Sequence, residues 1–394
     1  MTAVFLKRGR DKPARQRHPW VFSGAIARVD GEPQDGDPVD VRAADGDWLA
    51  RGILNRRSQI AVRILTRDPD EAVDANLWRR RLARAVDARA RLPALVGTSA
   101  YRLAFSEADG LPGLVVDRYT DWLAVQFSAL AADRWRKAIV TALVELIQPR
   151  GIVARDDPEA REKEGLLAAE GVVWGEPPPA HVEIEEDGLT FLVDVLGGQK
   201  TGFYLDQRES RRLVEPYGRG ARVLDAFAYT GAFAVRAWRG GAVSVTTVES
   251  SPEALALAEE NLARNGFGGR TEHVVGNAFR ELRAFRAAGR RFDVVILDPP
   301  KFARSAGHLE RAGRGYKDIN LLALHLLEPG GILVTFSCSG LVDADLFQQI
   351  VWEAALDAGR DVQVVARCAQ APDHPVALNF PESAYLKGLI CRVW

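Results

Sequence analysis

Over the carboxy-terminal half of the chain, short apolar runs alternate with longer stretches in which apolar residues recur at helical spacing. The runs lie near Arg222 to Asp225, Ser244 to Glu249, Glu272 to Val275, Phe292 to Leu297 and Ile332 to Phe336. Such alternation predicts right-handed crossovers and a doubly wound, mostly parallel α/β sheet. A last apolar segment, Tyr385 to Trp394, is expected to add an edge strand.

The upstream half has a different rhythm. Residues 1–70 carry short β-rich runs, Asp37 to Arg42, Trp48 to Leu54 and Gln59 to Leu65, between Asp/Gly/Pro turns. This predicts a small β-barrel. Trp78, Leu82, Ala85 and Val86 then share one face of a helix over Asn76 to Leu92, whose other faces are rich in arginine. Strand-like runs between Tyr101 and Phe127 predict a meander, followed by a helix from about Asp133 to Ile147 and a charged, broken segment from Arg155 to Gly165. Trp174 to Ala180 reads WGEPPPA; its consecutive prolines cannot enter a helix or a central strand and predict a stiff linker. Three domains are expected: a barrel over 1–70, an α+β domain over 75–175 and the alternating domain over 181–394.

Composition narrows the class. The 394 residues, 47% of them hydrophobic, suffice for two or three cores. A formal net charge of −1 confines any nucleic-acid surface to a local patch. The excess of Arg over Lys carries no functional weight by itself. Cys338, Cys368 and Cys391 suit neither a disulfide framework nor a zinc site, so no metal is expected. The opening MTAVFLKRGR has no apolar signal region, and no run of about 18 apolar residues occurs, so a cytoplasmic protein without a membrane span is expected. The first 30 residues hold Lys7, Arg8, Arg10, Lys12, Arg15, Arg17 and Arg28 beside Trp20 and Phe22. Charge with aromatics suits RNA backbone and base stacking, making Lys7, Arg8 and Trp20 substrate candidates. With equal standing, Trp20 and Phe22 are core residues under a solvated basic strand.

In a doubly wound sheet, ligands gather at the carboxyl ends of the strands. The first such end reads VLDAFAYTGAF, in which Asp225 precedes a turn of Tyr229, Thr230 and Gly231. A single glycine there does not make a dinucleotide fingerprint, which disfavours NAD and FAD. Glu249 ends the second strand and can accept hydrogen bonds from ribose hydroxyls; Asn277 and Ala278 follow the third and suit an adenine edge. Nucleoside recognition without phosphate recognition points to S-adenosylmethionine.

The fourth strand ends in LDPPKF, where the rigid Pro299-Pro300 pair, followed by Lys301, aims Asp298 into the site; the fifth ends in TFSCSG, with Cys338 at the same rim. A thiol fits one reaction in particular. Carbon 5 of cytosine is a poor nucleophile until a thiolate adds at C6; it then takes a methyl group, and loss of the C5 proton expels the thiol. Asp298 orients the base and keeps N3 protonated as charge develops. A strand-end cysteine alone is more often a small buried hydrophobe; the neighbouring Asp298 decides for the nucleophile.

KTGFYLDQR, VLDAFAYTGAFAV, ILDPPKF, RGYKDIN, TFSCSGL and DHPVALNFPESAYLKG together resemble the bacterial large-subunit rRNA cytosine-5 methyltransferases of the RlmI type. HPWVFSGAI resembles that family's N-terminal PUA domain, and DGLPGLVVDRY its central α/β domain. The resemblance implies a C-terminal class I, Rossmann-like methyltransferase domain preceded by a PUA-like β-barrel, with S-adenosylmethionine as donor. It implies cofactor contacts by Tyr204, Asp206, Gln207 and Arg208, with Asp298 also at that site, 23S rRNA as substrate at an unpaired or flipped cytosine, and a homodimer. Asn277 stands where relatives more often have an acidic residue. Lys301 stands where other RNA cytosine-5 enzymes keep a second cysteine, so another group must release the product. Two alternatives stay open: methylation of guanine N2 or adenine N6, which needs no thiol, and an RNA-binding protein without turnover.

Overall fold

Alternating apolar side chains in the first 66 residues build a six-stranded sheet from β1 (Ala3–Leu6), β2 (Trp20–Phe22), β3 (Ile26–Asp30), β4 (Pro38–Arg42), β5 (Trp48–Leu54) and β6 (Ile60–Thr66), in the order β2-β6-β5-β4-β1-β3. A short helix, α1 (Lys12–Arg15), follows β1. Val4, Leu6, Val39, Val41, Leu54 and Val62 fill its core. The computed structural model describes residues 2–302 and 309–394. The chain forms two units: Met1–Asp187 with Val193–Leu205 and Pro372–Ser383, and Gly188–Leu192 with Asp206–Ala371 and Ala384–Trp394.

The first unit continues with α2 (Ala75–Ala90), started by the Asp74 side chain accepting from the Leu77 amide at 2.9 Å. The arginines of α2 are not uniformly solvated: Arg89 is 3% exposed and grips both oxygens of Asp109 at 2.8 and 2.7 Å. The expected meander is present as β7 (Ala100–Phe105), β8 (Leu114–Tyr119) and β9 (Trp122–Phe127), joined antiparallel in a sheet ordered β11-β10-β9-β8-β7. Between β9 and β10 (Gly151–Arg155) lie α3 (Leu130–Arg134) and α4 (Arg136–Ile147). The segment read as broken contains α5 (Pro158–Lys163), because Arg161 is buried with its guanidinium bonded to the Phe127 carbonyl at 2.6 Å. Trp174 and Gly175 belong to β11 (Glu170–Gly175), so the irregular linker is shorter than WGEPPPA suggests.

Strand β12 (Val182–Glu186) ends the long amino-terminal segment, and β13 (Leu189–Val193) follows. The second unit then alternates α6 (Arg208–Val214), β14 (Arg222–Ala226), α7 (Ala232–Arg239), β15 (Ser244–Glu249), α8 (Pro252–Arg264), β16 (Thr271–Val275), α9 (Ala278–Ala287), β17 (Phe292–Leu297), α10 (Leu309–Leu326), β18 (Leu327–Ser337), α11 (Ala344–Ala358), β19 (Val362–Ala369) and β20 (Lys387–Val393). The sheet order is β16-β15-β14-β17-β18-β20-β19, the first five strands parallel. The class expected from the apolar rhythm is therefore present. Strand β17 is a near-continuous apolar run because both its faces are covered, and each fully buried Leu or Val there contributes about 1.5–3 kcal/mol. One expectation is corrected. β20 is not the edge; it inserts antiparallel between β18 and β19, as its buried Gly388-Leu389-Ile390-Cys391 core demands, and the more exposed β19 takes the edge.

Candidate active site

The turn after β14 is held from several sides. Phe227 and Ala228 donate to the Val248 carbonyl at 2.9 and 3.1 Å, and the Asn261 side chain donates to the Thr230 carbonyl at 3.0 Å. Phe227 (φ 66°) and Tyr229 (φ 47°) sit in the left-handed region, a strain that only such anchoring sustains. Gly231 also has positive φ, and a Cβ there would lie 2.9 Å from the Ala258 Cβ. Its missing side chain thus serves the packing of the turn on α8.

Glu249 fastens the same turn. Its carboxylate accepts from the amides of Ser250 (2.6 Å), Ser251 (3.0 Å) and Tyr229 (3.1 Å), while its carbonyl takes the Gly276 amide at 2.9 Å. Asn277 caps α9, its side-chain oxygen accepting from the Arg280 amide at 3.3 Å and its carbonyl from the Arg280 and Glu281 amides at 2.9 and 3.0 Å, which leaves its N–H groups for a ligand. Ala278, next to it, is buried.

Asp225 is the electrostatic anomaly. It is 1% exposed, and burial pushes its carboxyl up to about 8, reinforced by the negative charges of Asp298 and Glu249; the Ala234 amide offsets this only in part. Neither of its oxygens has a well-formed hydrogen bond among the described residues, and the same is true of Gln207 Oε1 and Thr230 Oγ1. Buried polar atoms left unsatisfied are costly and need an explanation. Three of the sequence-derived cofactor residues carry them, which fits a bound ligand offering hydrogen-bond donors and positive charge. Asp206 is 2% exposed and accepts from the Tyr385 hydroxyl at 2.6 Å, a partnership that sequence reasoning did not assign. Arg208 is fully buried, 3.6 Å from the Glu209 carboxylate.

Cys338 and Asp298 follow the ends of the neighbouring parallel strands β18 and β17, and both are half-buried. Pro299 is buried, whereas Pro300 and Lys301 are exposed. The fully buried Tyr316 of α10 joins the pair: burial pushes its phenol up to about 12, and the negative charges of Cys338 and Asp298 add to that. Lys387 lies opposite Ser337 across the β18–β20 ladder and donates to the Ser339 and Val342 carbonyls, each at 2.6 Å. Neither role was read from the sequence, although RGYKDIN and SAYLKG contain both residues. Burial raises the thiols of Cys368 and Cys391 to about 11 and 12, in keeping with structural roles.

The remaining candidates belong to the first unit. The Tyr204 hydroxyl donates to Gln199 Oε1 at 2.7 Å, with the Lys200 ammonium over its ring at 4.2 Å. Lys7 and Arg8 are exposed, and Lys7 reaches the Gly24 carbonyl at 3.0 Å. Trp20 is half-buried, its ring 4.7 Å from that of Phe380 and its N–H donating to Glu107 at 2.7 Å, contacts that accord with the packing reading. Phe22, 47% exposed, is the aromatic that faces solvent. Among the described residues no group of three or more His, Cys, Asp or Glu could hold a metal ion, and no helix is long and apolar enough to cross a membrane.

A doubly wound sheet with an unsatisfied carboxylate and hydroxyl beside its first strand end suits a ligand-binding enzyme, and comparison fixes the class: residues 167–392 match the S-adenosylmethionine-dependent methyltransferase family, and residues 4–67 a PUA-like domain. More particularly, the chain belongs to the family of the ribosomal RNA large subunit methyltransferase I proteins. It is 48% identical over 391 residues to the Klebsiella pneumoniae (strain 342) protein of that name, covering 99% of this chain and 98% of that one. The Shewanella amazonensis protein of that name is 48% identical over 394 residues, covering 99% of each. In fold, the chain is similar to SMU.776 complexed with SAH (TM-score 0.88, 20% identity, 100% of both chains) and to a methyltransferase structure from Streptococcus mutans (TM-score 0.85, 20% identity, 100% of both chains). The cofactor is S-adenosylmethionine.

Proposed function

We propose that the chain methylates carbon 5 of a cytosine in 23S ribosomal RNA, with Cys338 as nucleophile and Asp298 as the group that orients the base. One observation carries this reading: a half-buried thiol and a half-buried carboxylate follow adjacent strand ends and both bear on one buried phenol, Tyr316. Relatives at 48% identity, named for the large-subunit RNA, support the substrate class.

S-adenosylmethionine, when bound, supplies an electrophilic methyl group. Asp225, Gln207, Thr230, Tyr229, Gly231, Glu249, Asn277 and Ala278 would hold it, with Asp206 and Arg208 completing the set. The unsatisfied oxygens of the first three fit its ammonium and hydroxyl donors. Cys338 adds through sulfur to C6 of the cytosine, and the C5–C6 electron pair becomes available at C5. After methylation, C5 gives up its proton, the S–C6 bond breaks and the C5–C6 double bond returns. Asp298 faces N3 and the amino group throughout, stabilising the charge that develops there. Pro299, Pro300 and Lys301 line the substrate side. Neither C5 nor C6 can be reached from both faces within a stacked helix, so the target is an unpaired or flipped cytosine. Lys7 and Arg8 of the PUA-like sheet contribute phosphate contacts. The same reading carries a cytoplasmic homodimer, the latter checked by sedimentation.

RNA containing 5-fluorocytosine tests the chemistry, because fluorine at C5 blocks the final proton loss. The wild type should form a covalent adduct stable to denaturation, and Cys338→Ala should form none and lose methylation. A fully active Cys338→Ala enzyme overturns the cytosine-C5 reading.

A further inference from the structure

Lys387 is a cation placed against the loop that follows the proposed nucleophile. Antiparallel pairing of β20 with β18 sets it directly opposite Ser337, one residue before Cys338. Its side chain is half-buried and spans the turn beyond, its ammonium donating at 2.6 Å to the carbonyls of both Ser339 and Val342. Two carbonyls clasped by one ammonium fix the turn that starts at the residue after Cys338. Ser339 is fully buried, so this turn cannot relax toward water without breaking the clasp.

We propose that Lys387 is the positioning residue of the nucleophile: its ammonium holds the Ser339–Val342 turn in place and its positive charge biases Cys338 toward the thiolate. The proposal rests on Cys338 being the nucleophile. Nothing in the chemistry of the turn alone requires a charged donor, since backbone carbonyls can be capped by neutral groups; a lysine brought out of water at this point has a cost that its placement must offset.

The charges around the clasp are consistent with this role. Burial brings Lys387 down to about 8, while the negative charges of Cys338, at the end of β18, and of Asp343, at the start of α11, work in the opposite direction. The coupling is reciprocal: what Cys338 as an anion does for the ammonium, the ammonium does for the anion. On the other side, Tyr316 of α10 is held as a neutral phenol by burial, with the negative charges of Cys338 and Asp298 both acting on it; an Asp298 carboxylate beside the same phenol would disfavour a Cys338 thiolate. Lys387 thus supplies positive charge against Asp298 and lets a carboxylate and a thiolate serve one site.

The pH dependence of Cys338 alkylation by iodoacetamide, read on the Cys338 peptide by mass spectrometry in the full chain without RNA, tests this directly. Lys387→Gln keeps a donor for the carbonyls and removes the charge; its alkylation midpoint should rise by about one pH unit. Lys387→Arg should restore the wild-type midpoint. Lys387→Met should shift the midpoint as Gln does and, by loosening the turn, also raise the plateau rate, a change that a purely structural role would produce alone. An unshifted midpoint in Lys387→Gln or in Lys387→Met overturns the proposal. Because alkylation needs neither RNA nor methyl transfer, that failure is distinct from failure of the cytosine reading, which the 5-fluorocytosine adduct decides.

Discussion

Glu107 in the first unit and Asp225 in the second are both carboxylates withdrawn from water, and their surroundings are opposite. Glu107 is bonded to the Arg63 guanidinium, to the Trp20 N–H at 2.7 Å and to the Ser106 hydroxyl. Arg63 also holds Glu164 at 2.8 Å, and Ser58 and Asn55 add bonds of 2.7 and 3.0 Å to it. Although burial alone would raise both acids, Arg63 and these donors hold Glu107 and Glu164 below the usual carboxylate range. Asp225 has no such company, and burial with two acidic neighbours drives it upward. A closed network of this kind is structural; an acid left raised and unsatisfied at a strand end is kept for a ligand.

The largest effect should come from opening the closed network. Arg63→Met strands two buried carboxylates, and a loss of about 3–5 kcal/mol is expected in denaturant unfolding of the first unit. A loss near zero would mean that the network is not what holds these acids. Asp225→Asn should act in the other direction. At pH 8 to 9 the variant should melt higher than the wild type without ligand, yet bind S-adenosylmethionine at least about tenfold more weakly by calorimetry, about 1.4 kcal/mol. If stability and affinity fell together, Asp225 would be structural and the contrast with Glu107 would dissolve.

Titration separates the two regions by sign. Asp225 has a folded value of about 8, above the roughly 3.9 of an unfolded aspartate, so the folded state holds that proton more tightly. Its contribution is fully present below about pH 4 and declines as pH rises to about 8. Glu107 and Glu164 are lowered on folding, so their contribution is present above the unfolded value of about 4.3 and is lost as pH falls below it. Denaturant midpoints measured from pH 3 to 9 should therefore rise and then fall. Asp225→Asn should flatten only the decline between about pH 4 and pH 8.

What was legible in the sequence follows from how local each signal is. β17 has the boundaries its apolar run announces, and Asp225, Glu249 and Asp298 stand where strand ends predict. Partnerships between distant positions left no mark: Arg63 meets residues 44 and 101 positions away. The insertion of β20 beside β18, which delivers Lys387 to the Cys338 turn, is likewise a matter of pairing that no local pattern specifies. The two readings of Trp20 stayed level in the sequence for the same reason, since its partners Glu107 and Phe380 lie far along the chain.

Asn277 offers the smallest and finest test of the contrast, because it stands between the two cases. Its side-chain oxygen already has a structural duty as cap of α9, accepting from Arg280 at 3.3 Å. A polar atom so engaged resembles Glu107 more than Asp225. If capping is its main work, Asn277→Ala should cost about 1 kcal/mol in unfolding, and Asn277→Asp, which caps equally well, should cost little. S-adenosylmethionine affinity should change by less than about threefold in both, under 1 kcal/mol, with the backbone N–H groups of Asn277 and Ala278 left to meet the adenine. A tenfold loss of affinity in Asn277→Ala with unchanged stability would instead give the side chain to the ligand, and would show that an exposed strand-end amide can be reserved for binding while a neighbouring group caps the helix.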